Sequence, residues 1–170
     1  LKPEKWTNFF DMRPSMGEVQ EQFIELLSNS INLRIPSDVK YVSTQSGGID
    51  STLINLIASN YGQRKTRAYF GHSSNNPMKK KDDIYNEFEA AKFVSNKLDL
   101  DLHSFHMNTD ESVPVLTDIA ENCFDGCIDD GVAPFEFLAS EAKSEGYKVM
   151  MISDGPDDFA GGYTVDKKSN

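Results

Sequence analysis

Residues 39–51 read VKYVSTQSGGIDS, and the change of period inside this stretch decides the fold class. Val39 to Gln45 is short and rich in β-branched and aromatic residues, which predicts a strand. Ser46-Gly47-Gly48 interrupts it. From Ile49 to about Asn60 the apolar residues Leu53, Ile54, Leu56 and Ile57 return at helical spacing.

The same alternation continues outward in both directions. Upstream, Val19, Phe23, Leu26, Leu27 and Ile31 predict a helix over residues 18–33, stopped by Pro36-Ser37-Asp38. Downstream, residues 66–71 read as a second strand. His72 to Asp83, with Asn75-Asn76-Pro77 and Lys79-Lys80-Lys81, reads as an exposed polar loop. Ile84, Phe88, Ala91, Val94 and Leu98 share one face of a helix over 84–98, and residues 100–107 alternate as a third strand. Helices over 113–123 and 134–145 lead to a fourth strand, 147–152, which runs into an acidic, glycine-rich turn from Ser153 to Gly162. Strands joined by helix-length crossovers imply a parallel sheet covered on both faces. The expected fold is therefore α/β, a three-layer α/β/α sandwich of Rossmann-like type, with its ligand at the carboxyl ends of the strands. Residues 1–17, which hold Trp6, Phe9 and Phe10 without a clear period, read as an N-terminal arm. Residues 18–170 read as a single domain.

The totals agree with a globular protein. The 170 residues carry 27 acidic and 17 basic side chains, a formal net charge of −10. That balance speaks against a surface built for nucleic acid or an anionic membrane. It leaves room for a local anion held by backbone N–H groups and a metal. Cys123 and Cys127 stand within one helical turn, a poor geometry for a disulfide, and are expected to be free thiols of a reducing compartment. No stretch has the roughly 18 apolar residues of a membrane span, so a cytoplasmic location is expected. Because the chain opens on Leu1, it is expected to be trimmed or part of something longer.

The Ser46–Ser51 loop carries the chemistry. Adjacent glycines let the backbone approach a ligand with no Cβ in the way. The helix starting near Ile49 adds unpaired N–H groups and the positive end of its dipole. Ser46 and Ser51 add hydroxyls. The loop lacks the Gly-Lys-Ser/Thr ending of a Walker A motif and the G-x-G-x-x-G of a dinucleotide fingerprint. It carries Asp50 instead, and a carboxylate facing phosphates calls for a divalent cation between them. Mg2+ uses one or two carboxylates plus phosphate oxygens. The second carboxylate is expected from Asp154, Asp157 and Asp158 at the end of the last strand. Either segment alone is a common turn. Both falling at strand ends localises a site.

The S-G-G-x-D-S motif after a strand resembles the pyrophosphate loop of the N-type ATP pyrophosphatases. The rest of residues 18–163 is similar to the synthetase domain of glutamine-hydrolysing asparagine synthetases and β-lactam synthetases. The matching positions include Glu87, Ala91, and Lys148-Val149 running into Gly155-x-Asp157-Asp158-x-x-Gly161-Gly162-Tyr163. The resemblance implies an adenine nucleotide alpha hydrolase-like fold. It also implies ATP-dependent adenylation of a small carboxylate, release of pyrophosphate, and attack by an amine supplied by a glutaminase domain or subunit. Carried over by position, Ser46, Gly47, Gly48, Asp50 and Ser51 hold the ATP phosphates, and Asp50 and Asp157 bind Mg2+. Asp154 lies near the reacting substrate, and Val42, Thr44 and Phe70 border the adenine. The family's Ser-Gly-(Glu/Asp)-Gly-x-Asp-Glu is replaced here by Ser153 after Ile152 and by Asp158. The family also continues beyond the Gly-Gly-Tyr into a region with a catalytic Lys, which Lys167 and Lys168 do not match. The chain is therefore expected to be a fragment, a subunit or a reduced version, and an ATP- or AMP-binding module is the alternative to a complete ligase. An oligomer is compatible with either.

The remaining candidates read as ordinary. His103 and His106, three apart in a strand, face opposite sides and are not expected to share a metal. His72 is expected to be a solvated loop residue, and Lys79 to Lys81 a solvated surface rather than a phosphate clamp. Nothing electropositive surrounds the two cysteines, so they are expected to be inert.

Overall fold

A computed structural model describes residues 15–61, 66–73, 81–122 and 132–157. The expected arm through Pro14, Asn75 to Lys80, both cysteines, and Asp158 through the Gly-Gly-Tyr lie outside the described residues. The elements are α1 (Met16–Asn32), β1 (Tyr41–Thr44), α2 (Ile49–Tyr61), β2 (Arg67–Ser73), α3 (Lys81–Lys97), β3 (Asp101–Met107), α4 (Thr109–Asn122), α5 (Val132–Ser144) and β4 (Val149–Met151). They divide into two compact units, residues 1–34 and 35–170. In the first, α1 opens on a capping box. The Glu18 N–H donates to Ser15 Oγ at 3.3 Å, and the Ser15 N–H donates to the Glu18 carboxylate at 2.8 Å. These bonds to the charged form hold the Glu18 carboxyl below its ordinary range.

In the second unit four parallel strands lie in the order β3-β2-β1-β4. The chain steps outward from β1 to β3 and then returns to lay β4 on the other side of β1. The helices divide accordingly. Asn55 of α2 reaches Gln45, and Phe88 of α3 packs on Phe70 with ring centroids 5.2 Å apart. Both contacts fall on one face. On the opposite face, Leu138 and Ala142 of α5 close over Val42 and Tyr69, with Phe105, Tyr147 and Met150 around them. This is the α/β sandwich expected from the sequence. Gly71 lets α5 come close, because a Cβ there would stand 2.9 Å from Leu138 Cδ1. Tyr69 and Phe105 meet edge to face at 4.7 Å.

The amino edge of the sheet is tied by charge. Arg67, the first residue of β2, reaches Asp101 at 2.9 Å and Glu145 at 2.8 Å. Burial opposes its charge, but Tyr147, Asp101 and Glu145 outweigh burial and raise its pKa. The Tyr69 hydroxyl donates to the same Glu145 carboxylate at 3.0 Å; burial first, then that bond, push the phenol above its ordinary value. This network lies at the opposite end of the strands from the glycine loop.

Element limits differ from expectation in instructive ways. Helix α4 begins at Thr109 rather than 113, because Asn108 and Glu111 cap each other's N–H groups at 2.9 and 3.0 Å. Pro114 is accommodated inside it. Strand β2 runs through Ser73, so His72 is not a loop residue: its backbone pairs with His106 of β3. The backbone of α3 begins at Lys81, within the stretch expected to be loop.

Leu138 is buried against both strand backbone and aromatic core. Leu138→Ala is expected to lower unfolding free energy by about 2–5 kcal/mol, read as a fall in the urea midpoint with little change in m.

Candidate functional site

The reversal of strand order falls between β1 and β4, the place in an open parallel sheet where a ligand crevice is expected at the carboxyl ends of the strands. Both segments singled out in the sequence leave from these two strands. The register places Ser43 beside Met151, hence Ser46 and Asp154 start from the same level of the same edge.

On the β1 side, the Gln45 N–H still bonds to the Tyr69 carbonyl at 2.9 Å, and the chain then turns through Ser46-Gly47-Gly48 into α2. Gly47 has φ +86°, and a Cβ on it would lie 2.8 Å from both Ala90 Cβ and the Ala91 nitrogen. Backbone conformation and packing therefore both require glycine. The loop is closed by a ring of hydrogen bonds. The Gly48 N–H donates to Ser46 Oγ at 3.3 Å, the two serine oxygens lie 3.0 Å apart, and the Ser51 hydroxyl donates to the Gly48 carbonyl at 3.3 Å. The Ser46 N–H donates to Ser51 Oγ at 3.2 Å.

A second layer supports the first. Asn55 Nδ2 donates to the Thr44 carbonyl and to Gln45 Oε1, both at 2.9 Å, and Gln45 Nε2 donates to Thr52 Oγ1 at 3.3 Å. Gln45 and Asn55 are 0% and 1% exposed, so these polar side chains cannot turn to water. They lock the end of β1 to the first turns of α2. Sequence reasoning passed over Gln45 and Asn55, and also the Ala90-Ala91 pair that admits Gly47. The spacing of Ser51 and Asn55, one helical turn apart, was the available signal.

Asp50 is the second residue of α2 and is partly exposed beside first-turn N–H groups that no helical carbonyl can reach. Across the crevice, Asp154 is exposed, Gly155 takes φ +105°, and the backbone is helical at Pro156 and Asp157, with Asp157 partly exposed. Among the expected adenine neighbours, Val42 is wholly enclosed in the core. Thr44 is half-buried, and Phe70 is buried against Phe88. Among the described residues no group of three or more His, Cys, Asp or Glu side chains could by itself cage a metal ion. The donor set fits a cation that takes one or two carboxylates and completes its shell with ligand oxygens, as Mg2+ does.

The sequence profile of the asparagine synthase family matches residues 22–170. The chain belongs to that family. Similar members include a probable glutamine-hydrolysing asparagine synthetase of Dictyostelium discoideum, 28% identical over 149 residues, which cover 82% of this chain and 26% of that one. Glutamine-hydrolysing asparagine synthetase B of Escherichia coli is 26% identical over 168 residues, covering 93% and 29%. This family member thus spans between a quarter and a third of the length of these relatives. In architecture it is similar to the ammonia-dependent NAD synthetase of Campylobacter jejuni, solved with a nitrate ion. The TM-score is 0.50 at 15% identity, covering 84% of this chain and 60% of that one.

Among the described residues three glycines take positive φ, and they separate strain from contact. Gly146, at φ +83° with nothing within 4 Å of a Cβ, is expected to cost about 1–2 kcal/mol on substitution by Ala, from strain alone. Gly47→Ala adds a clash with α3 and is expected to cost clearly more, with loss of any anion bound at the loop. Paired urea melts of the two variants provide the comparison.

Proposed function

We propose that the crevice between β1 and β4 binds ATP with Mg2+ and serves adenylation of a small carboxylate as a step in amide formation. One observation carries the reading: the glycine loop and the acidic turn leave the two strands that flank the reversal of order, at the same level of the sheet. In this reading the Ser46–Ser51 loop receives the β- and γ-phosphates on its backbone N–H groups, helped by the dipole of α2. Gly47 keeps the loop seated on α3, so no side chain fills the place of the phosphates. Asp50 and Asp157 would hold Mg2+, which when bound supplies neutralising charge for the departing pyrophosphate. Of the expected neighbours of the base, Thr44 shares the sheet face of Val42 and Tyr69 while Phe70 faces α3, so only one of the two would border it, and Val42 is enclosed in the core. Asp154, exposed in the turn after β4, would lie near the reacting substrate, whose own carboxylate attacks the α-phosphorus, displacing pyrophosphate and forming the acyl-adenylate. The protein's own contribution is positioning and electrostatics. An amine then displaces AMP. The glutamine-hydrolysing relatives suggest ammonia from a glutaminase domain or subunit, and aspartate as the first acid to try.

A second reading is a nucleotide-binding module that stops short of amide synthesis. It draws on the loop alone, since the unpaired first-turn amides of α2 would hold a phosphate whether or not an acid is adenylated.

Calorimetry with ATP in the presence of Mg2+ is expected to give saturable binding that weakens by roughly ten-fold or more without the ion, and likewise in Asp50→Asn. Equal affinity in all three conditions would overturn the metal assignment. Exchange of labelled pyrophosphate into ATP that depends on an added carboxylic acid supports the ligase. Binding without exchange for any acid supports the module.

A further inference from the structure

A second set of ligating atoms stands on the same edge of the sheet, outside the crevice. His72 near the end of β2 and His106 near the end of β3 are direct partners in the parallel register. Their Nδ1 atoms lie 3.1 Å apart, and the ring centroids 4.6 Å apart at 45°. Both side chains leave on the α3 side, the side of Phe70, whose ring lies 5.9 Å from that of His72. His72 is partly exposed and His106 exposed, so solutes can reach them. The third histidine is kept apart. His103 faces the α5 side, with Arg67 Nη1 at 3.5 Å and the Asp101 carboxylate at 3.4 Å.

Two Nδ1 atoms at this separation can share one proton or bind one cation. A metal–imidazole bond of about 2.0–2.1 Å sets ligand nitrogens roughly 3.3–3.4 Å apart at a tetrahedral angle, and roughly 2.9 Å apart at a right angle. The observed 3.1 Å falls between these. Strand pairing holds both residues in register, so the sheet itself sets the approach of the two rings. Metal ligation needs neutral rings.

We propose that His72 and His106 form a two-imidazole site for a borderline divalent transition ion, of the Zn2+, Ni2+ or Cu2+ class. Among the described residues no cluster of three or more ligating side chains occurs, so the proposal is of two protein ligands, with water or an anionic oxygen as further ligands. Nitrogen ligands select these ions over Mg2+, which prefers oxygen. The site is therefore chemically distinct from the carboxylates at the crevice, and it does not rest on the ATP reading.

The test is titration of the full chain with ZnCl2 and with CuCl2 in a non-coordinating buffer, with millimolar Mg2+ present and no nucleotide. One ion per chain is expected, with affinity reduced by roughly ten-fold or more in His72→Ala and in His106→Ala. His103→Ala is expected to bind as the parent does. With Cu2+, the electron paramagnetic resonance spectrum is expected to show coupling to two nitrogens in the parent and one in each single variant. Absence of saturable binding, equal affinity in every variant, or equal loss in His103→Ala overturns the proposal. Should a variant not fold, the parent protein still decides. Zn2+ is expected to protect His72 and His106, but not His103, from acylation by diethyl pyrocarbonate, as read by peptide mass spectrometry. Uniform labelling with and without Zn2+ counts against the site. Metal binding that persists where ATP fails to bind would remove the nucleotide reading alone.

Discussion

A parallel sheet that grows in one direction and then doubles back past its first strand must carry its connections on opposite faces. Here the doubling back occurs between β1 and β4. It places α2 and α3 over Gln45 and Phe70, and α5 over Val42 and Tyr69. The carboxyl ends of β1 and β4 are thus adjacent strand ends at the point where the order reverses. The glycine loop lies against α3, where Ala90 and Ala91 leave room for Gly47. The rigid parts lie away from the opening. Arg67, Asp101 and Glu145 fasten the amino edge, and Leu138 fills the centre of one face.

The loop itself is rigid because its polar groups satisfy one another. Ser46, Gly48 and Ser51 complete a ring of hydrogen bonds, and Gln45 and Asn55 satisfy the last strand carbonyl beneath it. Such a network in a low-dielectric setting costs stability if any member is lost, and one atom, Asn55 Oδ1, already lacks a hydrogen-bond partner. A fold keeps such an arrangement where an exact loop shape matters. The shape sets the unpaired first-turn amides of α2 directly after the end of β1, an arrangement suited to preorganised anion binding.

Residues 39–60 were legible because a period of two gives way to a helical period across two glycines, a local signal that needs no tertiary partner. The start of the acidic turn after β4, Ser153 to Asp157, was legible from local composition, which likewise needs no tertiary partner. What failed to show depended on partners distant in sequence. Gly71-His72-Ser73 has the composition of a loop, and only pairing with Phe105, His106 and Met107 keeps it in the sheet. Alternation along β1 says that Val42 and Ser43 face opposite ways, but not that Val42 faces the aromatic core. Ala90 and Ala91 look like ordinary helix residues until Gly47 is set against them. Asn55 in a helix reads as a mild propensity cost rather than a strut. Where the signal was a cap, as in Ser15-x-x-Glu18, it was present in the sequence and simply unused.

Charge sets the last constraint. With a net charge of −10, this chain repels polyanions at long range, and the loop lacks the lysine that other phosphate-binding loops carry. The end of a helix contributes about half an elementary charge, worth roughly 0.3–2 kcal/mol to a nearby anion. That is small against the several negative charges of a triphosphate, and Asp50 subtracts from it. A loop of this kind can hold ATP well only if a dication is taken up with it, so on the proposed reading ATP affinity and Mg2+ concentration are linked. The same reasoning explains why the histidine pair need not interfere. On the two proposals, carboxylates and phosphate oxygens would collect a hard ion at β1 and β4, while two imidazoles on β2 and β3 would favour a softer one. Ligand type would then keep the two cations in separate places on one edge.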